Sequence, residues 1–135
     1  FYKYQLYLIK DYEKNKNAII SLRFDKVNDA RIIRIVDYLG DPEILSLAGK
    51  GLNNLMKINN VEYSDFWSFG IKDKIMQSIG FQLVDDNSKA TVPTYFEPFI
   101  FKNNSILFAF KENIYSKMPL LIFKGDGDQD RPNLL

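Results

Sequence analysis

The chain has 135 residues, 46% of them hydrophobic and 26% charged, which suits one globular domain with a core of its own. A net charge of +1, from 18 basic and 17 acidic residues, argues against nucleic acid or an anionic membrane as the main partner, since both reward a basic excess. With no Cys and no His, the chain excludes thiolate chemistry, disulfides, Cys- or His-ligated metals and Ser-His or Cys-His pairs, and proton transfer falls to carboxylates, Tyr, Lys or water.

The opening "FYKYQLYLIKDY" is too interrupted by Lys and Asp for a signal peptide, and no stretch reaches the roughly 20 apolar residues of a spanning helix. A soluble, cytoplasmic protein is expected. Tyr2–Tyr12 alternates apolar and polar side chains, the pattern of a strand. Glu13–Asn17 is a polar turn and Ala18–Val27 a second strand, so the two form an antiparallel hairpin. Asn28-Asp29 is a two-residue turn. Ala30–Leu39 follows as a third strand, and its Ile and Val residues on both faces predict a central position.

Asp41 is a good helix N-cap and Pro42 fits the first helical position. Ile44, Leu47, Ala48, Gly51, Leu52, Leu55 and Met56 then recur at helical spacing as one apolar stripe, which ends at Lys57–Asn60. Val61–Gly70 reads as a fourth strand, parallel to the third because a helix joins them. Ile71–Ile79 is a short helix closed by Gly80. Phe81–Asp86 predicts a fifth strand, Ala90–Asn104 a long aromatic loop, Ser105–Lys111 a sixth strand and Tyr115–Phe123 an edge strand. Lys124–Leu135 is a loop-like tail. Residues 1–135 show no repeat or linker, so one domain is expected, of α/β class with an α+β mixed sheet, in the order β-β-β-α-β-α-β-β.

That order, with "SIGF" at Ser78–Phe81 closing the second helix, resembles the GNAT superfamily of N-acyltransferases over most of Tyr2–Lys111. "RIVDYLG", "VPTYFEPF" and "KGDGDQDRPN" are similar to a GNAT-like branch associated with bacterial surface-polysaccharide and sugar modification. The resemblance implies acyl-CoA-dependent transfer, from acetyl-CoA or another acyl-CoA, to an amine on a small-molecule acceptor such as an amino sugar. The family's N-terminal strand and two helices, which line the acceptor site, find no counterpart in this sequence, so either they lie in a preceding part and the chain is expected to be the C-terminal portion of the fold, or the fold is a reduced one. An alternative is a non-catalytic GNAT-like binding or scaffolding domain within a larger protein. A sheet lacking those front elements would expose an edge or a face, which suggests a homodimer.

In the family the strand pair splays beside the pantetheine arm and the next helix N-terminus takes the pyrophosphate, because its unpaired N–H groups and dipole favour an anion. By position the resemblance gives that role to Val36, Tyr38, Leu39, Gly40 and Asp41, with Asp37 among them. Read from the residues alone, the same elbow is a turn or a degenerate cradle. Asp37, Asp41 and Glu43 would meet a phosphate with like charge, and Pro42 lacks an amide donor. "AGKGL", Ala48–Leu52, fits a helix interior better than a phosphate loop. Met76 stands where many family members carry a proton-donating Tyr, which leaves Tyr63 or Tyr95 as substitutes.

Three carboxylates are the catalytic candidates. Asp37 and Asp65 are expected at adjacent strand ends, where they can take a proton from an amine or bind a sugar hydroxyl. Alternatively, each caps a loop or meets Arg31 or Arg34. Glu97 stands among Tyr95, Phe96 and Phe99, where burial would raise its pKa and suit it to act as a base. The plain reading is an aromatic loop held between two prolines. Asp126, Asp128 and Asp130 imitate the start of a calcium loop, but Arg131 occupies the glycine position and the chain stops short of a twelfth-position Glu. No metal is expected.

Overall fold

A computed structural model describes residues 3–27, 29–85, 87–93, 101–103, 109–111 and 119–127. Strand β1 (Tyr4–Asp11) and strand β2 (Lys16–Val27) form the expected hairpin, pairing Tyr4 with Arg23 through Asp11 with Lys16. Its turn is held by the Asp11 carboxylate, which accepts from the amides of Glu13 and Lys14, while Asn15 takes the left-handed conformation that Asn tolerates (φ 51°). Asn28 of the next turn lies outside the described residues.

Strand β3 (Ala30–Leu39) is central, with β2 antiparallel on one side and β4 (Tyr63–Phe66) parallel on the other. The result is an α+β fold built on a mixed four-stranded sheet in the order β1-β2-β3-β4. Five consecutive buried residues, Ile32–Val36, show both faces of β3 covered. Ser21 lies opposite Asp37 but Leu22 lies opposite Ile35, so Val36 is an extra residue in a β-bulge. Unbroken alternation from Ile33 and Ile35 through Val36 would bring Asp37 to the core; the bulge absorbs Val36, so Tyr38 takes that place and Asp37 is exposed.

The core lies on one face of the sheet. Ile20, Leu22, Ile33, Ile35 and Tyr38 pack there against Ile44, Leu45, Leu52, Ile75 and Ile79. Fully burying each aliphatic side chain contributes about 1.5–3 kcal/mol. The helix expected after Asp41 has two parts: a 3₁₀ helix, Pro42–Ala48, and helix α1, Gly49–Ile58. The tighter 3₁₀ pitch rotates the expected stripe, so Leu45 is buried and Leu47 is exposed. Gly51 also departs from the stripe, since it faces open space. Gly49 does the close packing instead: a Cβ there would stand 3.3 Å from the Ile79 Cα at the end of helix α2 (Asp73–Ser78).

The expected fourth strand breaks at Trp67. Beyond it, β5 (Ser68–Phe69) pairs antiparallel with β6 (Ile122–Phe123) in a separate two-stranded sheet. Of the expected edge strand, Ile122 and Phe123 pair, residues 119–121 are not strand, and residues 115–118 lie outside the described residues. The fifth strand does not form over residues 81–85, where the backbone pairs with no neighbour strand among the described residues and Phe81 N closes on the Met76 carbonyl at 3.0 Å. Of the expected sixth strand, residues 109–111 are not strand and the rest lies outside the described residues. The tail begins as a docked 3₁₀ turn, Lys124–Asp126, with Lys124 buried.

Candidate functional site

Strands β3 and β4 stay paired only from Ile32 with Tyr63 to Ile35 with Phe66, and then part. The segment Phe123–Asp126 lies against the end of β3 thus left. A Cβ on Gly125 would stand 3.2 Å from the Val36 carbonyl, tighter than most side chains pack, so the glycine eases this close approach. Tyr38 and Phe123 meet edge to face at 6.3 Å, and Phe123 stacks on Phe66 at 5.5 Å. Asp126 fixes the turn by accepting from the Phe123 amide at 2.7 Å.

Beside this segment opens a cleft of about 860 Å³. Its aromatic lining includes Phe66, Trp67, Phe69 and Phe81, and its polar lining includes Asp73, Gln77, Gln82 and Asp126. Asp65 reaches it from β4, and Met76 from α2. Aromatic faces beside carboxylate and amide groups suit a small ring that carries hydroxyls or an amine.

The electrostatics behind the cleft come from the face of the sheet opposite the core. Register places Arg23, Arg34 and Asp65 side by side across β2, β3 and β4, and all three are buried. Arg34 Nε donates to both Asp65 oxygens at 3.0 Å, and Nη2 donates to Asp65 Oδ2 and to the Pro93 carbonyl. Arg23 pairs with Asp25 at 3.2 Å. Burial alone would lower the Arg34 pKa, but the Asp65 hydrogen bonds and charge outweigh it and hold the guanidinium above its ordinary value. Lys124 Nζ sits 4.3 Å from the Trp67 ring centroid and Arg34 Cζ 5.9 Å, so two buried cations reach one indole.

The expected site residues are spread out. Asp65 lies in the cleft wall, on Arg34, as the alternative reading of that residue anticipated. Asp37 is exposed and accepts from its neighbour's amide, Tyr38 N, at 2.7 Å; it does not line the cleft. Glu97 and Tyr95 lie outside the described residues, as do Asp128 and Asp130. Tyr63 is on β4 but does not line the cleft.

At the elbow, the Asp41 carboxylate accepts from the Glu43 amide at 3.1 Å and pairs with Lys16 at 2.8 Å. Its carbonyl accepts from Ile44 N at 3.0 Å and from the Tyr38 hydroxyl at 2.7 Å. Lys72 pairs with Glu43 at 2.8 Å. The hydrogen bond to Lys16 holds Asp41 below its ordinary pKa. Leu39 is exposed, and Gly40, at φ 144°, abuts Ala18. Trp67, Phe123 and Lys124 were not singled out from the sequence. The available signals were the single Trp two positions after Asp65 and the Lys directly after the apolar run "PLLIF".

Among the described residues no group of three or more His, Cys, Asp or Glu side chains can hold a metal ion, and no helix is long and apolar enough to cross a membrane. The fold defines an α+β chain with a mixed sheet and an aromatic cleft at the end of the parallel β3–β4 pair. Comparison with known proteins gives no match: no family model, curated protein or solved structure aligns with the chain.

Proposed function

We propose that this chain is a GNAT-like binding domain that holds a small, ring-bearing, hydroxyl- or amine-rich molecule in the cleft beside Trp67 and does not itself transfer an acyl group. One observation carries this reading. The end of β3 that would take the pantetheine arm of an acyl-CoA is met by the chain's own Gly125, close against the Val36 carbonyl. Two others support it. The amide at the start of the 3₁₀ helix is already bonded to Asp41, and Met76, which cannot move a proton, lines the cleft where the resemblance places the acid.

The second reading is an acyl-CoA-dependent N-acyltransferase. It is favoured by the parallel β3–β4 pair that parts after Ile35 and Phe66. In that case Val36, Tyr38, Leu39, Gly40 and Asp41 would serve the donor, and Asp65, Asp37 or Glu97 the proton transfer.

One experiment separates them. Trp67 is the only Trp, so its emission reports on the cleft. Hexosamines and neutral hexoses are titrated against that emission, and acetyl-CoA against thermal stability. Saturable emission changes with a sugar, lost in Phe81→Ala, together with no shift from acetyl-CoA are the expected result. Stabilisation by acetyl-CoA of about 2.7 kcal/mol at 100 times its dissociation constant would overturn the binding-only reading.

A further inference from the structure

The outer edge of β1 pairs with no strand among the described residues, and the sheet face beside it carries exposed apolar side chains. Leu6 is 71% exposed and Leu8 55%, with Ile19 of β2 and Leu39 of β3 continuing the patch at 38% and 71%. Register confirms the common face, since Leu8 lies opposite Ile19 and Ile19 opposite Leu39. On the other face of β1, Tyr7 and Ile9 pack toward the core. Such an edge is a template for another strand, and such a patch marks a contact surface.

We infer that the occupant is a second copy of this chain, joined through antiparallel β1–β1 pairing about a two-fold axis at Tyr7. The β1 residues themselves select this register. Opposite residues must share a face, so their numbers must have an even sum. Centring on Tyr7 uses the whole span from Lys3 to Asp11. It places Leu6 opposite Leu8 of the partner subunit twice, and Lys3 opposite Asp11 of the partner subunit at both ends. Centring on Leu8 would set Leu6 against the partner subunit's Lys10, and centring on Leu6 would set Lys3 against the partner subunit's Ile9. The two exposed patches become continuous across an eight-stranded sheet, as an isologous interface requires. This inference stands apart from the cleft and its ligand.

The absence of Cys makes the test clean. In the Tyr7→Cys variant the two thiols face each other across the axis, with Cα atoms about 4.5–5.5 Å apart, within disulfide reach. Mild oxidation is expected to give a covalent dimer. The Gln5→Cys variant places its thiols four residues out of step, about 13 Å apart along the strands, and is expected to stay uncoupled. Sedimentation of the unmodified chain is expected to show a monomer–dimer equilibrium. Lys3→Glu should weaken it about fivefold and Leu6→Lys should abolish it. A monomer at every concentration overturns the inference. So does equal cross-linking at positions 5 and 7, or a dimer that Leu6→Lys leaves intact, which would indicate another surface.

Discussion

Arg34 and Asp65 form a buried, bidentate pair that ties central strand β3 to its only parallel neighbour, and the cleft opens directly beyond it. The pair does structural work at the back of the site. Removing one partner strands the other's charge in a place water does not reach. Asp65→Asn is therefore expected to lower unfolding stability by about 3 kcal/mol, read from urea denaturation. The double variant Arg34→Met, Asp65→Leu should recover most of that loss. A loss under about 1 kcal/mol in the single variant would show the pair to be poorly desolvated.

Tyr38 gives an alkaline signature. Burial first, and the Asp41 charge second, push its pKa up to about 12 from 10.0. A raised value means that the folded state favours the neutral phenol. That contribution is complete below pH 10 and is lost as pH rises from 10 toward 12. Tyr38→Phe should flatten this part of the stability profile. It should also cost about 1 kcal/mol near neutrality, because the hydroxyl donates to the Asp41 carbonyl at 2.7 Å. Ultraviolet titration of tyrosinate absorbance checks the pKa directly.

Two glycines should respond in opposite directions. Gly40 has φ 144°, and a Cβ there would stand 2.6 Å from the Ala18 Cβ, so Gly40→Ala should cost about 1–3 kcal/mol. Gly51 lies in α1 and faces open space, so Gly51→Ala should add about 0.5–1 kcal/mol through helix propensity. Thermal melts of the two variants on either side of the parent check both signs.

Gly125→Val tests the seating of Phe123–Asp126. The added branches meet the Val36 carbonyl and side chain, whose nearest atoms would already lie 3.2 and 3.3 Å from a Cβ. Expulsion of the turn should cost about 1–3 kcal/mol and carry Lys124 away from the Trp67 ring. A change in Trp67 emission with retained far-ultraviolet circular dichroism is the expected result. Unchanged emission would show that the turn tolerates a side chain.

The hairpin, the central β3 and the parallel β4 were legible because their signals are local: alternation in β1 and β2, and unbroken Ile and Val in β3. The Asp41 cap was legible for the same reason. Three features depend on partners far along the chain and were not. The 3₁₀ pitch that buries Leu45 in place of Leu47 leaves the spacing of apolar residues ambiguous between three and four. The apolar residues of 81–85 read as a strand, but no neighbour among the described residues offers them a ladder. The burial of Lys124 depends on Trp67, 57 positions earlier. The site was harder to read than the fold. Of the expected carboxylates among the described residues, Asp65 lines the cleft and Asp37 does not, and the neighbours that shape it arrive from α2 and the Lys124–Asp126 turn.

Val36 is a supernumerary residue, and this has a consequence for how the chain can vary. Excising it would leave every later side chain of β3 on its present side of the pleat, since Tyr38 would simply fall into step behind Ile35. The strand would lose its kink and about 3.3 Å of reach while its apolar layer kept its order. The contact that Val36 makes with Gly125 can thus be lost by a single codon without rewriting the hydrophobic interior.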